Sequence, residues 1–291
     1  MAERKKQRAV RTSAVAKWLA RLPAPKLLYP LYLSRQLYLK EYEVASSRVP
    51  PALSGLRIAY ASDVHYGSCL DEKRVIELAE KLNALNADII LLGGDYGDRN
   101  ELSLEFWRLL PDLRARLAVC AVMGNHDLSG GPAQPLLNAM RRRGVTPLVN
   151  SALRLNYNGG RFALCSTDDN YKGNPDYAKI ARQTAESPYV IYAPHSPDAL
   201  KNAYALSEKP FFDLAICGHT HGGQVALFGV GLATSSRLGL RYGARYRTGM
   251  IRERGVTVIV SNGVGTSFLP IRLGVEPQYH LITLKHTEDK P

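Results

Sequence analysis

Five short apolar runs in this 291-residue chain each lead directly into a residue able to bind a metal ion, and no other feature restricts the fold as much. Residues 56–61 lead to Asp63 and His65, 88–92 to Asp95, 117–123 to Asn125 and His126, 189–193 to His195, and 212–217 to His219 and His221. Short runs that are apolar throughout read as strands covered on both faces. Helical spacing follows the first run, at Val75, Ile76, Leu78, Ala79, Leu82 and Leu85, and resumes from Glu101 after the second. The order is βαβαβ, which builds a sheet with helices packed over it. In open α/β sheets ligands bind beyond the carboxyl ends of the strands, so the five polar clusters are expected to meet at one edge.

The second half begins with a hairpin signal, Asn158-Gly159-Gly160, between residues 152–156 and 161–166. A helical stretch over residues 175–186 follows, with further strands at 189–193, 212–217, 256–260 and 279–284. Two halves of this kind predict an α/β/β/α sandwich: two packed β-sheets flanked by helices. No internal repeat or low-complexity segment interrupts it.

The candidate ligands are imidazoles, carboxylates and one amide, without a thiolate. That set suits Mn, Fe, Zn or Mg and excludes Cu(I) and iron–sulfur clusters. Glycines mark the strand-end loops at Gly93-Gly94, Gly124, Gly218 and Gly222-Gly223, where the backbone must turn sharply and approach an ion. Cys69, Cys120, Cys165 and Cys217 lie about fifty residues apart with no CxxC pair, so they read as free cysteines in a reducing compartment.

Ser62-Asp63-Val64-His65, Gly94-Asp95-Tyr96-Gly97-Asp98-Arg99, Gly124-Asn125-His126-Asp127, the lone His195, and Gly218-His219-Thr220-His221 resemble the five ordered motifs of calcineurin-like metallophosphoesterases. The resemblance spans roughly residues 41–285. It implies that Asp63, His65 and His221 hold one divalent ion and Asn125, His195 and His219 a second, with Asp95 bridging. Mn is the leading choice of metal. It also implies that water between the ions attacks phosphorus, that His126 faces the substrate, and that Asp127 orients His126. Asp98 and Arg99 belong to the second motif and are assigned to the surroundings of the ligands. More narrowly, His195-Ser196-Pro197-Asp198, the extended Gly218 to Gln224 motif, Gly265-Thr266-Ser267 and Leu269-Pro270-Ile271-Arg272 are similar to a bacterial membrane-associated phosphodiesterase branch. That branch includes UDP-2,3-diacylglucosamine pyrophosphatases, and many members carry an N-terminal membrane helix.

Charge bears on the partner. The net charge is +12, yet residues 1–50 hold 11 Lys and Arg against 3 acidic residues, a net of +8. Two segments are therefore expected: a basic, aromatic arm over residues 1–40, and a catalytic domain over 41–291. Trp18, Tyr29, Tyr32, Tyr38 and Tyr42 alternate with basic residues, and Pro23, Pro25 and Pro30 prevent one long helix. Such pieces suit a bilayer interface. The expected partners are a lipid-linked phosphoester and an anionic membrane surface, with the protein peripheral on the cytoplasmic face of the cell membrane. The alternative is a nuclease or nucleotide phosphodiesterase, though a nuclease would spread its basic residues along a groove; a non-catalytic scaffold, which would lack some ligands, ranks below both. His280 and His286 are read as structural. The arginines between residues 225 and 255 are read as either a cover for the site or a solvated loop.

Overall fold

The computed structural model describes residues 33–67, 70–227, 230–231 and 244–288. Its first sheet starts with β1 (Tyr38–Ser46) and continues with β2 (Arg57–Ala61), β3 (Ile89–Leu92), β4 (Ala118–Ala121) and β5 (Thr146–Pro147). The second contains β6 (Ser151–Tyr157), β7 (Gly160–Ser166), β8 (Val190–Tyr192) and β9 (Leu214–Cys217). A separate two-stranded ribbon pairs β10 (Ala226–Leu227) with β11 (Val230–Gly231). Then β12 (Gly249–Glu253) and β13 (Val256–Val260) complete the second sheet, and β14 (Gln278–His286) returns to the first. Helices α1 (Glu72–Ala84), α2 (Asn100–Leu109) and α3 (Ala133–Arg142) belong to the first half, and α4 (Tyr177–Thr184) and α5 (Ala199–Ala205) to the second.

The sheet orders are β1-β14-β2-β3-β4-β5 and β12-β13-β9-β8-β7-β6. Alternation along the strands explains the layering. On β2, Ile58 and Tyr60 enter the core between the sheets, whereas Ala59 and Ala61 pack with Val75, Leu78 and Leu82 of α1. On β3, Ile89 and Leu91 face the inter-sheet core while Ile90 and Leu92 face the helices. A third core holds Cys165, Tyr192 and Val258 against Ile180 of α4 and Leu200 of α5. Each central strand is thus covered on both sides, which is why its sequence is continuously apolar. The outcome is the α/β/β/α sandwich expected from the sequence. Cys120, Cys165 and Cys217 are free and buried, as read, while Cys69 lies outside the described residues.

Register sets the position of the site. Ala61, Leu92 and Ala121 pair across three parallel strands. Asp63, Asp95 and Asn125 follow them by two, three and four residues, so they leave the sheet at one edge. In the second sheet Tyr192 pairs with Ala215 and Cys217 with Val260, again in parallel, which brings His195 and His219 to corresponding strand ends.

The expected boundary between arm and body at residue 40 falls inside a strand. β1 pairs with β14 in parallel from Tyr38–Gln278 to Ser46–His286, so Tyr38 and Tyr42 belong to the body. Tyr42 stacks on His280 at 5.5 Å, and Val44 is buried between the sheets. The body reaches back further still: Leu33 is buried, and Arg74 of α1 donates to the carbonyls of Ser34 (3.0 Å) and Gln36 (3.0 Å). The remainder of the expected arm, with Trp18, Tyr29 and Tyr32, lies outside the described residues. Deletion of residues 1–46 should cost at least ~3 kcal/mol more stability than deletion of 1–32, because it removes two buried apolar side chains and an edge strand. Urea unfolding of the two truncations measures this, and equal midpoints would show that β1 contributes nothing.

Candidate metal centre

The clusters read from sequence converge. Ligand-type atoms of Asp63, His65 and His221 lie within 4.8 Å of one another, as do those of Asp95, His195 and His219. His65 Nε2 and His221 Nε2 are 3.1 Å apart, and His195 Nε2 and His219 Nδ1 are 3.3 Å apart. Between the pairs lies Asp95, whose Oδ2 is 3.2 Å from His195 Nε2 and 3.7 Å from His65 Nε2. One carboxylate therefore reaches both clusters. Asn125 is adjacent, since the backbone N–H of its neighbour His126 donates to Asp95 Oδ1 at 2.8 Å.

Hydrogen bonds at the far side of three rings fix their tautomers. His65 Nδ1 donates to Asp98 Oδ1 (2.8 Å), His195 Nδ1 to the Gly93 carbonyl (2.8 Å), and His126 Nδ1 to the Asp98 carbonyl (2.9 Å). A carbonyl can only accept, so His195 and His126 must carry their proton on Nδ1 and keep Nε2 for another partner. Asp98, uncertain from sequence, thus orients His65 with its carboxylate and His126 with its backbone.

The residues fit a pair of divalent cations. Asn125 Oδ1 and His219 Nε2 are buried without a hydrogen-bond partner, a costly state for polar atoms at this depth. Asp63 and Asp95 are buried carboxylates in neighbouring clusters, and like charges in a dry site call for cationic compensation. Burial and the charge of His195 push His219 down to about 3, and burial with His65 and Arg272 holds His221 well below the usual imidazole range, so both rings are neutral donors. Burial opposes ionisation of Asp95, but His195, His126 and His65 keep it well below the carboxylate range. Burial likewise opposes protonation of His195, which Asp95 and Asp63 carry well above its ordinary value.

Asp127 does not hold His126. Its carboxylate accepts from the backbone N–H groups of Asp95 (2.8 Å), Tyr96 (2.9 Å) and Gly124 (2.8 Å) and from the Ser103 hydroxyl (2.7 Å). It clamps the second motif to the third and so positions Asp95. Burial and the nearby Asp95 raise it to about 6. Consecutive side chains leave the backbone in different directions, which is why adjacency to His126 in sequence misleads.

Several candidate ligands hold an unusual backbone. Asp63, His65, Asp95, His219 and His221 all have φ between 48° and 69°. Each costs about 1 kcal/mol in this left-handed region, which is seen where surrounding contacts over-determine the position. Gly124 has the opposite constraint: a Cβ there would lie 2.2 Å from Asp95 Oδ1.

Tyr171 was missed from sequence. It stacks on His219 at 4.8 Å, and its hydroxyl donates to Asp198, which explains the presence of that acid in the loop after His195. The signal was available, because Tyr171 lies in the polar loop that follows β7, another parallel strand of the same sheet. Gln224 ties loops together rather than facing a ligand, donating to the carbonyls of Ser267 (3.0 Å) and Leu269 (3.0 Å). Of the arginines between residues 225 and 255, Arg245 pairs with Glu253 and Arg254 covers Tyr204, while Arg247 donates to the Gly222 carbonyl (2.7 Å). Arg237 and Arg241 lie outside the described residues. His280 is structural as read, its Nε2 2.8 Å from Ser261 Oγ, and His286 closes on the Val49 carbonyl at 2.7 Å.

Comparison with known proteins agrees with this arrangement. The calcineurin-like phosphoesterase family matches residues 56–223, which include every candidate ligand. The chain belongs to that family. As a calcineurin-like phosphoesterase it is an enzyme of metal-dependent phosphoester hydrolysis, with ligand clusters for a binuclear divalent metal centre. It is 28% identical to the uncharacterized metallophosphoesterase YkuE of Bacillus subtilis over 85% of both chains. It is 30% identical to an uncharacterized metallophosphoesterase of Aquifex aeolicus, over 86% of this chain and 92% of that one. A transmembrane protein with metallophosphoesterase domain from Danio rerio is 28% identical over 64% of this chain and 44% of its own. Among the described residues of the present phosphoesterase, no helix is long and apolar enough to cross a membrane.

Gly124→Ala should lower metal content, because the new methyl must displace the Asp95 carboxylate. Elemental analysis after reconstitution checks this. Two ions per chain in the variant would remove the packing argument.

Proposed function

We propose that this phosphoesterase hydrolyses a phosphodiester or pyrophosphate bond in a lipid-linked or nucleotide-lipid substrate at a membrane surface. The observation that carries the chemistry is the single buried carboxylate, Asp95, within reach of both histidine clusters. We assign Asp63, His65 and His221 to one ion, Asn125, His195 and His219 to the other, and Asp95 to both. Bound there, a divalent pair polarises phosphoryl oxygens and lowers the pKa of water toward neutrality.

The chain's own residues supply the rest. His126 has its Nδ1 committed to the Asp98 carbonyl, which leaves Nε2 to stabilise phosphoryl charge or to protonate the leaving oxygen as the P–O bond breaks. Asp98 and the Gly93 carbonyl hold the His65 and His195 rings in orientation, so little reorganisation is required when substrate binds. Asp127 keeps the Asp95 loop against the Gly124 loop. Neither serine nor cysteine is assigned as a nucleophile.

Support for the lipid-linked class is compositional. Residues 1–32 hold eight Lys and Arg against one Glu, with Trp18, Tyr29 and Tyr32 among them. Cation attraction to anionic headgroups contributes about 1 kcal/mol per residue near the surface, and aromatic rings settle at headgroup depth. Some relatives are named as transmembrane proteins. On this reading the protein is peripheral on the cytoplasmic face of the cell membrane, Mn²⁺ is the leading metal, and the basic residues serve lipid rather than nucleic acid. A turnover screen with Mn²⁺, comparing bis(p-nitrophenyl) phosphate, its monoester, single-stranded DNA and a UDP-linked lipid, tests it. Preference for DNA would replace the reading with a nuclease.

Two variants separate the assigned roles. Asp95→Asn should abolish turnover with the fold intact, since the shared ligand is weakened. His126→Ala should keep its ions yet lose ~10² to 10⁴-fold in rate. Parallel loss of metal in His126→Ala would make that histidine a ligand, contrary to the assignment.

A further inference from the structure

The loop of residues 261–277 joins β13 to β14 and runs against the first candidate-ligand motif. Val264 N–H donates to the Ser62 carbonyl (3.0 Å) and Gly265 N–H to the Asp63 carbonyl (2.8 Å), so the loop is attached directly to the first ligand motif. Three residues later the chain presents Phe268 and Leu269 to solvent, at 79% and 57% exposure. They are the most exposed of the large apolar side chains among the described residues, and they are adjacent in sequence. By chain length Phe268 lies within about 11 Å of Gly265, and hence beside the site.

The tip is built, not loose. Gln224, three residues after the candidate ligand His221, receives the Ser267 N–H on Oε1 (2.8 Å) and donates from Nε2 to the carbonyls of Ser267 and Leu269. Phe268 itself holds φ of 61°, a conformation that a bulky L residue rarely adopts. A clamp that keeps an aromatic ring in strained backbone and in water has no folding rationale; it gains one if the ring is buried against a partner.

What lies next to the tip identifies the partner. Ser34 Oγ donates to the Pro270 carbonyl at 3.0 Å, and Arg74 donates to the Ser34 carbonyl, so Ser34 is fastened to the body at this corner. Residues 1–32 carry a net charge of +7. An exposed apolar pair in a chain whose first 32 residues are strongly basic matches an anionic lipid surface, where rings enter the acyl boundary and cations meet headgroups. We infer that the Phe268-Leu269 tip inserts into an anionic bilayer and, together with the cationic composition of residues 1–32, holds the metal centre toward the membrane. This inference rests on the membrane reading above and adds the part of the body that meets the lipid. One weak anchor gives marginal, reversible attachment, whereas two together hold.

Sedimentation of the full chain with phosphatidylcholine vesicles, with and without phosphatidylglycerol, tests the inference. Phe268→Ser combined with Leu269→Ser should lower partition onto phosphatidylglycerol vesicles by at least ~10-fold, with hydrolysis of bis(p-nitrophenyl) phosphate unchanged. In a Trp18→Phe chain, Phe268→Trp should introduce an indole that brominated phospholipids quench, since Trp107 is buried in the core. Unchanged partition of the double variant, or no quenching, overturns the inference. So does a lower oligomeric state of the double variant in the absence of lipid, which would make the tip a protein contact. Tight, tip-dependent binding without turnover of a lipid-linked phosphoester would leave the docking surface intact and overturn the proposed substrate instead.

Discussion

Asp95 is 2% exposed and stands between two sets of histidines, and a carboxylate at that depth persists only with positive charge close on its open sides. Much of the surrounding structure answers that requirement. The short apolar strands end in register so that ligands from both sheets arrive at one edge. Gly124 leaves room for the carboxylate, and Asp127 fixes the backbone on either side of it. The outer hydrogen bonds of His65 and His195 aim their Nε2 atoms inward. Left-handed backbone at five ligand residues is a cost carried by these loops, offset by the contacts that hold them.

Much of this was legible in the sequence because it is local. A strand that runs straight into Asp63, Asp95 or His195 declares both its burial and its polar end within a few residues, and β2, β3, β8 and β9 lie close to their expected positions. Tertiary pairing was not legible. β1 joins β14 some 240 residues away in sequence, and its alternation of half-buried and exposed residues resembles an interfacial segment until Gln278 to His286 is placed beside it. Short elements such as α5 and β12 carry too few residues to show a period. The role of Asp127 was hidden for a different reason: its partners are backbone amides, which every sequence has. Nor does a sequence reveal φ, and His221 or Asp63 gives no sign of a conformation usually reserved for glycine.

The site and the membrane reading belong to different parts of the chain but meet at one corner. The loop that bears Phe268 is fastened to Asp63 at one end and, through the Pro270 carbonyl, to Ser34. Arg272, fully buried, donates to the carbonyls of Gly265 (3.0 Å through Nε) and Asn262 (2.7 Å), which stiffens the same loop against the metal centre. A surface contact at the tip would therefore be transmitted to the ligand motif through hydrogen-bonded backbone.

The central claim is that one carboxylate is shared between two ligand sets. Anomalous scattering from a crystal of the Mn²⁺-loaded protein tests it most directly. The account predicts two peaks roughly 3.5 to 4 Å apart, on either side of the Asp95 carboxylate. A single peak, or a second ion bound away from Asn125, His195 and His219, would contradict it.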